Sequence, residues 1–205
     1  MNTNTAFQAS FDALIQTALP EVDHRPVARP AFTLGAERLG DVVSREALLD
    51  LAMGANRKRK SSEKLRRGRK PAEGLALVAR DEADQLVGTV RLWNVRLGDG
   101  VQALLLGPLA VEPSTKSGGI GSALMRQAIT EATRLGHCAI LLVGDPGYYE
   151  RFGFSAAKTG DLAMPGPYER HRFLALELVE GWLDGAKGTL KASGRKVSEV
   201  VARAG

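Results

Sequence analysis

Apolar positions recur with different spacings along the chain, and each spacing predicts a different element. Within residues 1–30, five apolar side chains fall on one helical face and three prolines follow, which predicts an N-terminal extension made of a short helix and a proline-rich linker. Residues 31–37 favour a strand. Residues 41–53 return to helical spacing, and Gly54 marks the end of that helix.

The middle of the chain has the patterns of strands. Three apolar and β-branched runs, separated by turn sequences, predict an antiparallel meander at residues 75–80, 86–96 and 101–111. Residues 120–135 then place apolar side chains on one helical face, and residues 138–143 form an apolar run typical of a buried strand. A strand, a helix and a strand in this order form a parallel, right-handed unit.

The last third of the chain carries shorter signals. We predict a short helix at residues 148–152, a brief strand at 154–156, a final strand at 173–178 and a polar C-terminal tail at 181–205. The predicted fold class is therefore α/β, with a mixed, mostly antiparallel sheet, one splayed parallel pair and flanking helices. One domain is expected at residues 31–180.

Length and composition fit one domain of a reducing compartment. The chain has 205 residues, of which 44% are hydrophobic, enough for a sizeable core. A single cysteine, Cys138, excludes an intramolecular disulfide, and its apolar surroundings predict a buried thiol. No stretch approaches the ~18 apolar residues that span a bilayer, and no secretory signal pattern is present, so a soluble, cytoplasmic protein without a membrane partner is expected.

The net charge of +5 is concentrated in one place. Residues 57–70, called the basic segment below, contain nine basic residues and one glutamate, a net +8, so the other residues together carry −3. This distribution argues against a nucleic-acid coat, while the segment itself is suited to phosphates or acidic partners. A solvated helix face is the alternative. We predict a short helix here, ending before Pro71 and lying beside the sheet.

A glycine-rich turn joins the third long strand to the amphipathic helix. Gly118, Gly119 and Gly121 allow a ligand to approach the main chain closely. The amides that have no partner within the first helical turn belong to Gly119, Ile120, Gly121 and Ser122. Such amides, together with the helix dipole, suit a pyrophosphate. A tight connection without a ligand is the alternative.

Gly107 and Pro108 interrupt the strand that precedes this turn. Proline has no N–H and glycine weakens the ladder, so we expect the strand to bulge or to part from its neighbour there. Main-chain groups of Leu109 and Val111 would then be free to bind an extended, amide-bearing chain such as pantetheine, with its diphosphate on the glycine turn. An edge irregularity without a ligand is the alternative.

Three segments together resemble the GNAT superfamily of acyl-CoA-dependent N-acyltransferases. They read LGPLAVEP at residues 106–113, KSGGIGSALM at 116–125 and GDPGYYERFGFS at 144–155. The resemblance covers roughly residues 32–178 and is most similar to the bacterial YhbS-like branch. It implies the GNAT fold, acetyl-CoA as the donor, and transfer of an acyl group to an amine.

The resemblance also implies a set of site residues. The phosphate-binding pattern falls on Lys116, Gly119 and Gly121, where lysine keeps the charge of the usual arginine but lacks its fork. The tyrosine that protonates the departing thiolate matches Tyr149, and the N–H of Leu109 matches the donor to the oxyanion. The residues implied to contact the cofactor are Leu109, Ala110, Val111, Lys116, Ser117, Gly118, Gly119, Ile120, Gly121, Ser122, Asp145 and Tyr148.

The group that removes the proton from the amine stays open. Some relatives carry a glutamate in the strand before the glycine turn, but residues 104–108 contain no carboxylate, and Glu112 is interpreted as a surface charge. The alternatives are that water relays the proton away from the amine, or that Asp145 or Glu37 accepts it. Asp145 also stands where many relatives have asparagine, and Tyr148 packs either on the pantetheine or on the sheet.

Other candidate side chains have ordinary structural interpretations. His137 begins a buried strand and is interpreted as structural, while His171 either rims the acceptor pocket or lies on the surface. Scattered histidines predict no metal site. Arg91 and Trp93 share one face of a strand, so they either line the acceptor cleft or, for Trp93, belong to the core.

The sequence thus predicts an N-acetyltransferase that moves an acetyl group from acetyl-CoA to a primary amine of a small molecule or a protein. The basic segment lies where the family's first two helices form a wall of the acceptor site, which favours an acidic or phosphate-bearing acceptor. A catalytically weak acyl-CoA-binding regulator, or a nucleic-acid-binding module using residues 57–70, is the alternative function. A monomer or a homodimer is expected.

Overall fold

A seven-stranded mixed sheet organises the part of the chain that the structure describes. The structure is a computed structural model and describes residues 32–197, apart from the side chains of Ala55, Lys116 and Ser117. Six strands lie in the order β1 (Phe32–Ala36), β2 (Ala76–Asp81), β3 (Leu86–Arg96), β4 (Gln102–Val111), β5 (Ala139–Val143) and β7 (Phe173–Glu177). Neighbours on this path are antiparallel except β4 and β5, which are parallel, so the predicted mixed sheet is confirmed.

Four α-helices flank the sheet within the described residues. They are α1 (Val42–Met53), α2 (Glu63–Arg66), α3 (Ile120–Arg134) and α4 (Pro146–Tyr149). Gly54 ends α1 with a φ of 75°, as predicted, because glycine adopts this conformation without a Cβ clash. The basic segment contains the four-residue helix α2 and a 3-10 turn at Ala55–Arg59. The strand predicted at residues 154–156 is a single bridge between Ser155 and Ala175.

The helix α3 lies close against β3 because glycine stands beneath it. A Cβ built on Gly88 would be 2.8 Å from Cγ2 of Ile120 and 2.9 Å from Cδ1 of Leu124. These two side chains, with Met125, Ala128 and Ala132, form the buried face of α3. The close approach fixes the N-terminus of α3 beside the end of β4, where the glycine turn is.

The predicted polar tail is folded onto the domain as far as residue 197. Leu183, Ala186 and Leu190 are buried in the core on one face of the sheet. β8 (Gly188–Thr189) pairs with β6 (Leu162–Ala163), and β9 (Lys191–Ala192) pairs with β3. The sequence missed this region because its few apolar residues are separated by tight turns and follow neither a helical nor a strand period. The predicted N-terminal extension, residues 1–30, lies outside the described residues.

A buried ion pair joins the start of α1 to β2. Both carboxylate oxygens of Asp41 accept from Nη2 of Arg80 at 2.6 Å, and the main-chain N–H of Arg38 donates to Asp41 Oδ2 at 2.6 Å. Burial raises the pKa of Asp41, but the bonds from Arg80 and Arg38 outweigh it and hold that pKa below its ordinary value. The stabilisation from this pair is therefore complete above the unfolded-state pKa and is lost as the pH falls through the folded-state pKa.

We predict that Asp41→Asn lowers the free energy of unfolding at neutral pH by about 2–3 kcal/mol, because Arg80 is left buried without its partner. The difference from wild type should shrink as the pH falls through the acid range where Asp41 becomes protonated. Urea unfolding at a series of pH values measures both effects. Glu73→Gln is the control, since the Glu73 pair with Arg195 is exposed and should contribute at most about 1 kcal/mol. Equal losses in the two variants would contradict the prediction.

Candidate active site

The strand β4 bulges where the sequence predicted an irregularity. Leu106 is paired with Leu92 and Leu109 with Val90, so β4 has one more residue than β3 across the interval. Gly107 occupies the bulge with a φ of 130°, a conformation that favours glycine. Nε1 of Trp93 donates a 2.6 Å hydrogen bond to the carbonyl of Gly107 and so fixes the bulge to the neighbouring strand.

The bulge leaves main-chain groups of β4 facing away from β3. The N–H of Glu112 donates to Val87 at 2.8 Å, which identifies a hydrogen-bonded pair. Because such pairs alternate in an antiparallel ladder, Leu109 and Val111 lie in non-hydrogen-bonded pairs, with their N–H groups directed toward the β5 side. Ala110 is different: its main chain faces β3, and its side chain packs under α1, so the implied cofactor contact of Ala110 does not fit.

The parallel pair separates at this level of the sheet. β4 and β5 are paired at Leu104 with Ile140 and at Leu105 with Leu141, both before the bulge. Beyond these residues the structure records no further pairing between the two strands. The N–H groups of Leu109 and Val111 therefore face an open wedge, which can accept an extended ligand as an additional strand.

The glycine turn presents the N-terminus of α3 to the same wedge. Gly119 is the N-cap residue with a φ of 74°, and no side chain caps the helix within the described residues. The first bond of the helix runs from the N–H of Ala123 to Gly119 at 3.0 Å, so the four preceding amides have no partner within the helix. These are the amides that the sequence predicted, at residues 119–122.

Two adjacent tyrosines follow β5 and point to different parts of the site. Asp145 caps α4 by accepting from the N–H of Gly147 at 3.2 Å. The hydroxyl of Tyr148 lies 2.9 Å from where a Cβ on Gly121 would be, so this side chain contacts the glycine turn. Tyr149 instead lines the cavity beside the bulge, and its ring packs on Gly144.

The hydroxyl of Tyr149 is held in its protonated form. Burial raises the pKa of Tyr149 to about 12, with a further increase from Tyr148 and Asp145 and a decrease from Arg172. Nothing in residues 32–197 makes a hydrogen bond to this hydroxyl, which leaves its proton available to a ligand in the cavity. A tyrosine in this state is suited to donate a proton at neutral pH.

A cavity of about 400 Å³ lies beside the bulge, and its size fits a small molecule. Its walls come from α1, the basic segment, β3, the bulge of β4 and the end of β5. Arg91 and Trp93 both line it, as one of the two interpretations predicted. Trp93 is also 6% exposed and packed in the core, so for this residue both interpretations hold. His171 is exposed and is absent from the lining.

Neither carboxylate proposed as the base lines the cavity. Glu37 is enclosed by Arg45 and Arg91 and bonds to both, and Asp145 is an exposed helix cap. The carboxylates that do line the cavity are Glu46 and Glu63, which the sequence interpretation missed. Burial raises the pKa of Glu46, but bonds from Arg57 and Arg45 outweigh it and lower that pKa, which makes Glu46 a weak base.

A second cavity of about 570 Å³ lies at the hairpin between β3 and β4. His137 and Cys138 contribute to its wall. Burial lowers the pKa of His137, which favours its neutral form. Cys138 is only half-buried, because it precedes β5 rather than lying within it, so the prediction of a buried thiol is wrong in degree.

Between residues 32 and 197, no helix is long and apolar enough to cross a bilayer. No group of three or more histidine, cysteine, aspartate or glutamate side chains in that range is arranged to hold a metal ion.

A mixed sheet with a splayed parallel pair and a glycine turn at the N-terminus of a helix is the arrangement that the resemblance to acyl-CoA-dependent N-acyltransferases implied. Comparisons with known proteins agree. A family model described as an acetyltransferase (GNAT) domain matches residues 72–156. The uncharacterized N-acetyltransferase YhbS of Escherichia coli (strain K12) is 30% identical over 118 residues, which are 57% of this chain and 71% of YhbS. This chain belongs to the GNAT family of N-acetyltransferases.

Solved structures show the same fold. The crystal structure of Escherichia coli YhbS in complex with CoA superposes with a TM-score of 0.68 and 26% identity, covering 89% of this chain and 98% of that one. A GNAT family acetyltransferase from Brucella melitensis, in complex with acetyl-CoA, gives a TM-score of 0.51 at 23% identity over 72% of this chain and 97% of that one. The second likeness concerns the fold alone.

Proposed function

We propose that the chain transfers the acetyl group of acetyl-CoA to a primary amine bound in the 400 Å³ cavity. The observation that carries this proposal is the convergence of three features on one wedge. These features are the free amides at residues 119–122, the outward N–H groups of β4 and the protonated Tyr149. The structure of Escherichia coli YhbS holds CoA, which supports a ligand of the same class here.

The residues present fit this co-substrate. The first-turn amides of α3 suit the diphosphate, and glycine at position 121 leaves room for it beside Tyr148. The amides of Leu109 and Val111 suit the carbonyls of an extended pantetheine arm. The contacts of Lys116, Ser117 and Gly118 with the diphosphate are part of the proposal. Bound acetyl-CoA supplies an acyl group activated as a thioester.

Each residue then has a defined task in the transfer. The amine forms the new C–N bond while the C–S bond breaks. The N–H of Leu109 donates to the carbonyl oxygen, which gains negative charge as the amine attacks. The hydroxyl of Tyr149 donates its proton to the departing sulfur. The amine loses its proton to water in the cavity, because the carboxylates there are engaged by arginines. That proton returns through water to the Tyr149 phenolate, so the transfer leaves the amide, the CoA thiol and the protonated tyrosine.

Acetyl-CoA binding tests the proposal directly. At a ligand concentration of 100 times Kd, acetyl-CoA should stabilise wild type by about 2.7 kcal/mol, which is about 5–10 °C in Tm for a domain of this size. Gly121→Val should lose most of this shift, because the added side chain fills the space next to the Tyr148 hydroxyl. Differential scanning fluorimetry with and without acetyl-CoA gives the measurement.

Gly160→Val is the matched control, since nothing lies within 4 Å of a Cβ at that exposed position. It should keep the full shift. A wild-type protein that gains no thermal protection from acetyl-CoA would overturn the proposal. Protection without release of CoA thiol, for any amine offered, would instead favour the regulatory alternative.

A further inference from the structure

The positive charges around the cavity are not equivalent. Nη2 of Arg57 bonds to Glu46 and Nε of Arg57 bonds to Asp50, both at 2.6 Å. Arg91 is similarly engaged, because its Nε donates to Glu37 at 2.7 Å. Each of these guanidinium groups already has a carboxylate in good geometry, so neither needs a ligand to compensate its charge.

Arg66 is largely buried, and most of its side-chain donors have no partner among residues 32–197. Its side chain is 11% exposed, and its recorded bond is a single contact of 3.1 Å from Nη2 to Glu63. Nε of Arg66 is buried and has no partner among residues 32–197. A buried donor without a partner costs free energy, so such a group indicates a missing acceptor.

The guanidinium of Arg66 lies directly over the bulge. Its Nη1 is 3.9 Å from where a Cβ on Gly107 would be, and among the described residues no other atom outside residues 106–108 comes within 4 Å of that point. Gly107 is two residues from Leu109, whose N–H faces the wedge, and all three residues line the 400 Å³ cavity. An anion held by Arg66 would therefore lie next to the place where the amine attacks.

We propose that Arg66 binds an anionic group of the acceptor, a carboxylate or a phosphate, located a few bonds from the reacting amine. This inference rests on the proposed function and defines the substrate class as small amines that carry an oxyanion. A planar guanidinium with free Nη1 and Nε donors matches the oxygens of either group. The volume of the cavity, about 400 Å³, fits a small molecule.

Paired acceptors test the inference. Glycine is compared with glycinamide, and phosphoethanolamine with ethanolamine, by following release of CoA thiol. For wild type we expect the anionic member of at least one pair to have a kcat/KM about 10-fold to 100-fold higher, as an added charged hydrogen bond gives. The pair that shows the preference identifies carboxylate or phosphate as the group.

Substitution of Arg66 then links the preference to this side chain. Arg66→Gln should raise the KM of the anionic acceptor and bring the ratio within each pair close to 1, with little change for the neutral members. Arg66→Lys should restore part of the preference, because it keeps the charge but lacks the fork. Arg59→Gln, an exposed change within the basic segment and away from the cavity, should keep the wild-type ratio.

The outcomes separate the inference from the proposed function. If acetyl-CoA protects the protein but both members of each pair react equally well, the inference about Arg66 fails and the proposed function stands. An equal loss for neutral and anionic acceptors in Arg66→Gln would show a structural role and also overturn the inference.

If no acceptor is turned over, calorimetric measurement of ligand binding in the presence of CoA tests the inference instead. N-acetylglycine or inorganic phosphate should bind wild type at least about 10-fold more tightly than N-acetylglycinamide, and this advantage should vanish in Arg66→Gln. Equal binding of the three compounds to wild type would overturn the inference.

Discussion

Tyr149→Phe should lower kcat for acetyl transfer by about 10²-fold to 10⁴-fold, the range of general acid catalysis. The substitution removes the hydroxyl but keeps the ring that packs on Gly144, so acetyl-CoA should still protect the protein thermally. Because burial raises the pKa of Tyr149 to about 12, the wild-type hydroxyl stays protonated through the neutral and moderately alkaline range. Steady-state release of CoA thiol measures kcat for both proteins. Its pH dependence in wild type shows whether the Tyr149 hydroxyl stays protonated over this range.

Tyr168→Phe is the matched control for this prediction. Tyr168 makes a weak bond of 3.4 Å from its hydroxyl to Leu162 and packs in the core on the other side of the sheet from α3. Its kcat should remain close to wild type. If Tyr149→Phe retains full kcat, water rather than this tyrosine supplies the proton to sulfur, and the assigned role of Tyr149 is wrong.

The sequence predicts the main-chain features of the candidate site well because glycine and proline determine them locally. The bulge follows from Gly107 and Pro108, and the free amides follow from a glycine turn before an amphipathic helix. Glycine and proline act on the residues next to them, so their effects can be deduced locally. The bounds predicted for β3, residues 86–96, also agree with the structure, because alternation and flanking turns define that strand.

The wall of the 400 Å³ cavity could not be predicted in the same way because it is made of side chains from distant segments. Glu46 comes from α1 and Arg66 from α2, and the fold brings both into this wall. All of the charged residues in this wall except Arg91 precede residue 72, where the match to the family model begins. In sequence the basic segment is a run of similar charges, and only packing distinguishes the largely buried side chain of Arg66 from the exposed Arg59.

The candidates for the general base could not be distinguished from the sequence either. Glu37 and Glu46 are nine residues apart and look alike in sequence, but burial between arginines removes Glu37 from the cavity and leaves Glu46 in its wall. Ion pairing then determines whether either carboxylate can accept a proton from the amine. Such pairings are properties of the folded chain, since each depends on an arginine from a different element.

Gly144→Ala should reduce kcat by about 10²-fold without touching a reacting group, because misplacing a catalytic side chain by about 1 Å has an effect of this size. A Cβ on Gly144 would overlap the ring of Tyr149, lying 2.7 Å from Cδ2, so the ring must move. The main chain at Gly144, the residue after β5, is held by its N–H bond to the carbonyl of Arg172 at 2.9 Å and cannot shift easily. Gly160→Ala, where nothing lies within 4 Å, should keep the wild-type kcat.

A double variant distinguishes displacement of Tyr149 from general damage to the site. If Gly144→Ala acts through the Tyr149 hydroxyl, then adding it to Tyr149→Phe should cause little further loss, because the proton donor is already absent. If the two losses instead multiply, the alanine disturbs the wedge by another route. This double-mutant cycle, measured as kcat at saturating acetyl-CoA, tests whether the lack of a Cβ at Gly144 is what allows the Tyr149 hydroxyl to take its position in the cavity.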